Sequence, residues 1–345
     1  MSKILVGISG GLDSATVLRE LLEAGHEVEA AVIDMHEYTE TESARKLAEM
    51  YGVRLNVIDC RENFGKNVVE YFVDDYSHGR TPNPCVVCNR YVKMASLVSF
   101  AKENGFDRAA TGHYAVKGFD DASGRYFLAR ANDKKKDQSY VLWMLTQDQL
   151  EMLIFPLGTR YKSDVRAKAE SLGLEVANRP ESQEICFIPD DDHASFIEAR
   201  TGVFPRGDFV DVNGNKIGEH KGLIHYTIGQ RKGLGMSFGE HMFVKKIDAK
   251  KNEITLCRAG EEYSDSLEAD GLNFVGLDET DDAELELDVK LRYAAEPVPA
   301  AVRIKSGRAY VRPVHSVRAV TPGQSAVFYK NDVLMFGGVI KKADF

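Results

Sequence analysis

Five cysteines in 345 residues are an odd, sparse set that suits chemistry or packing in a reducing compartment better than a disulfide framework. Two of them form Cys85-Val86-Val87-Cys88, within Thr81-Pro82-Asn83-Pro84-Cys85-Val86-Val87-Cys88-Asn89-Arg90. A third, Cys186, lies in Ser182-Gln183-Glu184-Ile185-Cys186-Phe187-Ile188-Pro189. The prolines and asparagines around the pair predict an irregular loop with exposed thiols. A thiolate is a strong nucleophile near neutral pH, above all where a positive potential lowers its pKa. Cys60, ending a strand, and Cys257, in a hairpin, read as packing residues.

A second group of residues has the pattern of an anion site. Ile4-Leu5-Val6-Gly7-Ile8 reads as a strand running straight into Ser9-Gly10-Gly11-Leu12-Asp13-Ser14. Val17, Leu18, Leu21 and Leu22 then mark one face of a helix that Gly25 would stop. Strand, glycine-rich turn and helix N-terminus aim backbone N–H groups at an anion such as phosphate. Ser9 and Ser14 add hydroxyl donors. The Gly-Lys-Ser/Thr ending of a Walker A loop is absent.

Something must position these groups, and the chain divides into three regions that do so. Up to about Phe187, short apolar runs alternate with amphipathic helices, as in a doubly wound α/β domain. Residues 28–33, 55–58 and 109–111 read as its further strands. In such sheets the ligand lies beyond the carboxyl ends of the strands, which gathers the Ser9 turn, the residues after Ile33, and Gly112-His113 around one crevice. After Pro189 the texture changes. Asn213-Gly214 signals a hairpin, and residues 243–247 with 254–257 a second. Strands expected over 285–293, 301–304, 310–312, 326–329 and 334–340 suggest a small barrel. The expected fold class is α/β: a doubly wound parallel-sheet domain over 1–200, a small β-rich central domain over 201–266, and a C-terminal β-barrel over 267–345.

No stretch approaches the ~20 apolar residues of a membrane span, and Met1-Ser2-Lys3 leads directly into a strand. The expectation is a cytoplasmic protein with no membrane partner. Lys and Arg total 44 against 53 Asp and Glu, a net charge of −9. That excludes a general polyanion binder, so any nucleic-acid contact must come from a local basic surface. Lys134-Lys135-Lys136, Arg231-Lys232, Lys245-Lys246 and Lys250-Lys251 are local clusters of this kind, as are Arg292, Arg303, Arg312 and Arg318 in the last region.

Ser-Gly-Gly-x-Asp-Ser after a first strand resembles the pyrophosphate loop of the N-type ATP pyrophosphatases. Further motifs follow in order: Thr-Pro-Asn-Pro-x-x-x-Cys-Asn, Gly112-His113-Tyr114, Lys136-Asp137-Gln138-Ser139-Tyr140, Ser182 to Phe187, Ile228-Gly229-Gln230-Arg231-Lys232-Gly233-Leu234-Gly235 and Thr321-Pro322-Gly323-Gln324. On these residues the chain is similar to the bacterial tRNA-specific 2-thiouridylases, over essentially its whole length. The resemblance implies that ATP, with Mg²⁺, adenylates the 2-carbonyl oxygen of the wobble uridine (position 34) of tRNA, and that sulfur carried on the protein displaces AMP. It implies Cys88 as nucleophile, Cys186 as persulfide carrier, and Asp13 as a metal-organising or substrate-orienting group. ATP contacts would come from Gly7, Ile8, Ser9, Gly10, Gly11, Leu12, Asp13, Ser14, Ile33 and Gly112. Contacts to the anticodon region would come from His113, Lys136, Asp137, Gln138, Arg292, Tyr293 and Gln324, with Tyr140 and Tyr293 suited to stacking on bases. A cysteine desulfurase or sulfur-relay protein would supply the sulfur.

One departure from the family pattern matters. The family commonly has Asp where this chain has Cys85, so Cys85, Cys88 and Cys186 also form a candidate ligand set for a [4Fe–4S] cluster with one open iron. Persulfide and cluster-bound sulfur are therefore alternative expectations. Outside this family, another pyrophosphate-loop ligase such as an amidating enzyme, or a non-catalytic RNA-binding sulfur carrier, would share part of the pattern. Every thiolation reading requires Cys88 and Cys186 to face the same cleft as the Ser9 turn.

Overall fold

A computed structural model describes residues 1–171, 185–236 and 239–344. β1 (Lys3–Gly7) is apolar through its centre, and Leu5 and Val6 are fully buried, as a strand covered on both faces requires. β2 (Glu27–Asp34) pairs with it in parallel, Ala31 opposite Gly7, and β3 (Leu55–Asp59) pairs with β2. On the other side of β1 comes β4 (Arg108–Ala110), Ala110 opposite Val6, followed by the short strand Leu153–Ile154. The order is thus β3-β2-β1-β4 and the short strand, so the chain reverses direction across the sheet between β1 and β4. Loops leave the two strands to opposite sides there and open the crevice expected of an α/β sheet. One face packs on α1 (Leu12–Glu23) and α2 (Thr41–Tyr51) through Val17, Leu18, Ala44 and Leu47. The other packs on the helix Met94–Glu103 through Met94, Leu97 and Val98.

The middle region is a four-stranded sheet in the order Met242–Asp248, Glu253–Arg258, Gly207–Val210, Lys216–His220. Its Asn213-Gly214 hairpin forms as expected, with Gly214 at φ +86°. The last region closes as a six-stranded antiparallel barrel, because Ser266–Phe274 pairs with both Arg308–Pro313 and the final strand, Val333–Asp344.

One arrangement was not foreseeable from pattern. The hairpin Ala115–Asp120/Arg125–Arg130, in the first region of the chain, adds to the barrel's sheet, with Leu128 opposite Leu334 and Ala129 opposite Val333. The first region of the chain is therefore tied to the barrel through backbone hydrogen bonds, although the parallel sheet itself remains a separate sheet. Trp143 sits at this junction fully buried, its indole N–H donating to Ser325 Oγ (2.9 Å). Nearby, Asp137 accepts from the backbone N–H of Ala131 and Ser139 (3.1 Å each) and from Ser139 Oγ (3.0 Å). Arg130 (3.6 Å) and Lys290 of the barrel (3.7 Å) supply the countercharge. Asp137 is 3% exposed, and in the RNA-free chain its carboxylate is committed to this junction. Burial alone would depress Lys290, and Asp137 opposes that.

Removing the carboxylate leaves Arg130 and Lys290 half-buried or buried with their shared anion gone. Asp137→Ala is expected to cost about 3–5 kcal/mol, read as a lowered denaturation midpoint in urea. An RNA-contacting surface residue would leave that midpoint in place.

Candidate active site

The Ser9 turn follows β1 without a break. Ser14 Oγ accepts from Ser9 N–H (3.2 Å) and donates to Gly11 O (3.0 Å), which closes the turn on itself. Gly10 stands at φ +73°, where an added Cβ would come within 2.5 Å of Ser43 Cβ, so a side chain is excluded twice over. Gly11 caps α1 without a side-chain bond, which leaves the first-turn N–H groups directed into the crevice. Gly112, just beyond β4, lies against the same turn: a Cβ there would be 3.0 Å from Asp13 Cβ and Ser14 N. The two loops predicted to share a crevice do so.

Asp13 does not cap α1. Its carboxylate takes both oxygens to Lys162 Nζ (2.7 Å each), and Tyr114 donates its hydroxyl to Oδ1 (2.8 Å). Lys162 opens the helix Lys162–Ser171 and is only 8% exposed. Sequence reasoning missed it, since nothing in its local context signals a partner 149 positions away. At the end of β2, Asp34 Oδ2 pairs with Arg61 (2.7 Å). Its Oδ1 and both ring nitrogens of His36 are buried with no partner among the described residues. Such atoms are costly to leave unmatched and mark a place where polar groups are to be met.

The cysteine pair is not on an irregular loop. Pro84 occupies the first turn of a helix, Pro84–Cys88, a position proline favours because its missing N–H has no helical partner anyway. A π-helical turn, Asn89–Lys93, follows at once and runs into Met94–Glu103. Cys85 is exposed, but Cys88 is 4% exposed and packs with Phe64, Phe72 and Phe187, against the expectation of two exposed thiols. Its Sγ lies 3.6 Å from Met35 Sδ. Phe187 and Ile188, which follow Cys186, belong to that same cluster. Ser182, Gln183 and Glu184 of the motif lie outside the described residues.

Lys93 links these parts. The π turn brings its backbone N–H to the Cys88 sulfur, and its half-buried ammonium lies within electrostatic reach of Cys88, Cys186 and His113. Burial pushes the Cys88 thiol up to about 12, with the Lys93 charge pulling the other way. Cys186, a surface residue whose sulfur is hemmed in by protein, is likewise raised by burial and relieved by Lys93. For Lys93, burial disfavours the charge, but negative charge on Cys88, Cys85 or Cys186 outweighs it and the pKa is raised. His113 is driven down to about 3 by burial and then by Lys93, so it is neutral at pH 7, with Nδ1 3.0 Å from Thr111 Oγ1. Among the described residues no three His, Cys, Asp or Glu side chains converge as a metal-ligand set, the cysteines included. The thiols share an ammonium instead, a poor fit to a cluster site.

The residues expected at RNA divide. Tyr293 is exposed, with its ring 6.2 Å from that of Tyr140. Tyr140 itself is fully buried and cannot stack on a base. Lys136 is half-buried. Gln138 Oε1 accepts from Tyr114 N–H (2.9 Å), which steadies Gly112-His113-Tyr114. Arg292 Nη2 donates to Ala319 O (2.7 Å) and Thr321 Oγ1 (2.9 Å), and Gln324 Nε2 donates to Thr81 O and Pro82 O (3.0 Å each).

A glycine-rich turn at a reversal point of a parallel sheet, with the Lys93 ammonium within electrostatic reach of both His113 and the thiols, is the arrangement a nucleotide-activating enzyme with sulfur chemistry requires. Models described as the tRNA methyl transferase HUP domain, the tRNA methyl transferase PRC-barrel domain and the aminomethyltransferase β-barrel domain match residues 2–190, 194–258 and 264–340. A tRNA-specific 2-thiouridylase MnmA of Acetivibrio thermocellus is 42% identical over 98% of this chain and 99% of its own length. One from Carboxydothermus hydrogenoformans is 43% identical over 99% and 98%. The chain belongs to the tRNA-specific 2-thiouridylase family. A solved 4-thiouridine synthetase–RNA complex with bound ATP is 17% identical over 54% of this chain and 45% of its own, with a TM-score of 0.39, a likeness that carries no weight for the fold.

The geometry sets an order of thiol reactivity. Iodoacetamide at pH 8 is expected to modify Cys85 and Cys186 well before Cys88, Cys60 and Cys257, as read by peptide mass spectrometry. Because a raised thiol pKa leaves the reactive thiolate scarce until the pH climbs, Cys88 modification should keep rising beyond pH 9. Lys93→Met should slow it about tenfold or more at pH 8. Gly112→Ala should abolish ATP binding in calorimetry while leaving the far-ultraviolet spectrum native; unchanged affinity would place the nucleotide elsewhere.

Proposed function

We propose that this protein is an ATP-dependent sulfurtransferase that converts the wobble uridine of tRNA to 2-thiouridine. The observation that carries this reading is the run from the Ser9 turn through Gly112-His113 and Lys93 to the thiols of Cys88 and Cys186. ATP would lie with its phosphates on the Ser9 turn and α1 N-terminus and its base past Ile33, near the unmatched atoms of Asp34 and His36. Lys162, drawn from Asp13 to the phosphates, would free that carboxylate to hold Mg²⁺, which when bound offsets phosphate charge.

The uridine 2-oxygen attacks the α-phosphorus and pyrophosphate leaves. The base must be unstacked to reach that point, and neutral His113 beside Gly112 would contact it. The terminal sulfur of a Cys186 persulfide then attacks C2, and AMP departs with the former carbonyl oxygen. Cys88 thiolate attacks the Cys186 sulfur, which releases the thiocarbonyl and leaves a Cys88–Cys186 disulfide for an external thiol to reduce. Lys93 stabilises each thiolate as it forms. A desulfurase or relay protein delivers the persulfide sulfur to Cys186 at the surface. The exposed ring of Tyr293, with Lys136, would meet the anticodon arm.

Unmodified tRNA incubated with the protein, ATP, Mg²⁺ and a cysteine desulfurase with cysteine, which supplies persulfide sulfur, should yield 2-thiouridine on nucleoside mass spectrometry. Cys88→Ser and Cys186→Ser should each abolish it. Iron-free protein should remain active, and activity that appears only with about four irons per chain would favour cluster-bound sulfur. Activity that survives both serine replacements would point to an amidating ligase, and indifference to ATP to a passive carrier.

A further inference from the structure

The segment that leads into the thiol-bearing helix, Thr81-Pro82-Asn83-Pro84, cannot hold itself in place. Two of its four residues lack an N–H; Asn83 accepts from Val86 N–H (3.2 Å) and donates its own N–H to Tyr71 Oη (3.3 Å), but neither helix nor sheet claims the Thr81 and Pro82 carbonyls. The barrel supplies what is missing. Gln324 Nε2 donates to both Thr81 O and Pro82 O, and Thr81 N–H donates to Pro322 O (2.9 Å). Gly323, at φ +93°, permits the approach: a Cβ there would lie 2.7 Å from Thr81 O. The barrel end of this contact is firm. Gln324 O accepts from Ile340 N–H (2.8 Å), and Ser325 takes the Trp143 indole on Oγ and the Tyr140 hydroxyl on O (3.1 Å).

Beside these bonds the seam is open. A cavity of about 360 Å³ separates Val86 and Val87 of the thiol segment from Gly323, Ser325 and Val339 of the barrel. Val86 packs into the core shared with Trp143, Val327 and Leu334, and beside the cavity the hydrogen bonds fix the Thr81–Pro82 backbone. We propose that the barrel's 322–325 turn is the positioning element of the thiol segment, with Gln324 the positioning residue that fixes where Cys85 and Cys88 stand relative to the crevice. A carboxamide suits the task because it brings two N–H donors to two adjacent carbonyls, whereas the isosteric carboxylate brings none. The kinetic part of this inference rests on the thiolation reading, and its chemical part does not.

The test uses the full chain with Gln324→Glu and Gln324→Ala. Steady-state thiolation should show kcat reduced about tenfold or more, since displacements of about 1 Å at a reacting group can cost up to ~100-fold. KM for tRNA should stay within about twofold, because uniform binding is untouched. In the absence of RNA and ATP, the iodoacetamide rate of Cys85 should change by about threefold or more as its segment shifts. A raised KM with unchanged kcat would overturn the proposal and return Gln324 to the RNA surface. An unchanged Cys85 rate would overturn it as well. If wild-type protein makes no 2-thiouridine, the function fails and the alkylation rates still decide the proposal. Should both variants misfold, Gln324→Asn, shorter by one methylene, is read the same way.

Discussion

A single ammonium set among thiols is the constraint on which the site depends. Cys88 is packed against phenylalanines, where a thiolate is strongly disfavoured, and burial alone would keep it protonated far above neutral pH. Lys93 is the counterweight. It acts on Cys88, Cys186 and His113 together, and negative charge on any of the cysteines in turn holds its own proton. The charge is shared, so Lys93 lowers the cost of a thiolate at Cys88 and Cys186, although burial still outweighs it at both. The π turn after Cys88 explains how this is built: one extra residue in the turn sets the Lys93 N–H on the cysteine sulfur.

The second constraint is mechanical. The nucleotide turn belongs to the parallel sheet, whereas the thiol segment is tied to the barrel through Thr81 and Gln324. These two bodies are joined in turn by the 115–130 hairpin, by Trp143 and by the Arg130–Asp137–Lys290 cluster. A reaction that passes an activated base from phosphate to sulfur needs both groups at a defined separation. On the proposed reading the junction sets that separation, and it reaches the Ser9 turn through Gln138, Tyr114 and Asp13.

Much of this was legible in residue order. The α/β sheet, the crevice between β1 and β4 and the closed barrel follow from periodicity, glycine placement and the carboxyl-end rule, because these are local signals. Gly10 and Gly112 are legible for the same reason: close approach of backbones requires glycine. The pair Cys85 and Cys88 reads as an irregular loop because proline and asparagine signal both loop and helix start, and only packing makes Pro84 open a helix. Lys162 and Asp13, Gln324 and Thr81, and the hairpin strand beside Leu334 are partners separated by 149 to more than 200 positions, and no local pattern records them. Asp137 and Tyr140 show the remaining limit. A motif names residues that matter, but it does not say whether they matter to RNA or to the fold.

The central claim is that Cys88 and Cys186 are partners in one sulfur hand-over beside the nucleotide. It is tested most directly by a single turnover with persulfide-loaded protein, ATP and tRNA, quenched with an alkylating agent and mapped as non-reduced peptides. The account predicts one disulfide per thiolated uridine, joining Cys88 to Cys186, with Cys85 alkylated and free. Thiolated tRNA with both cysteines recovered as free thiols, or a Cys85–Cys88 bond in place of the predicted one, would contradict it.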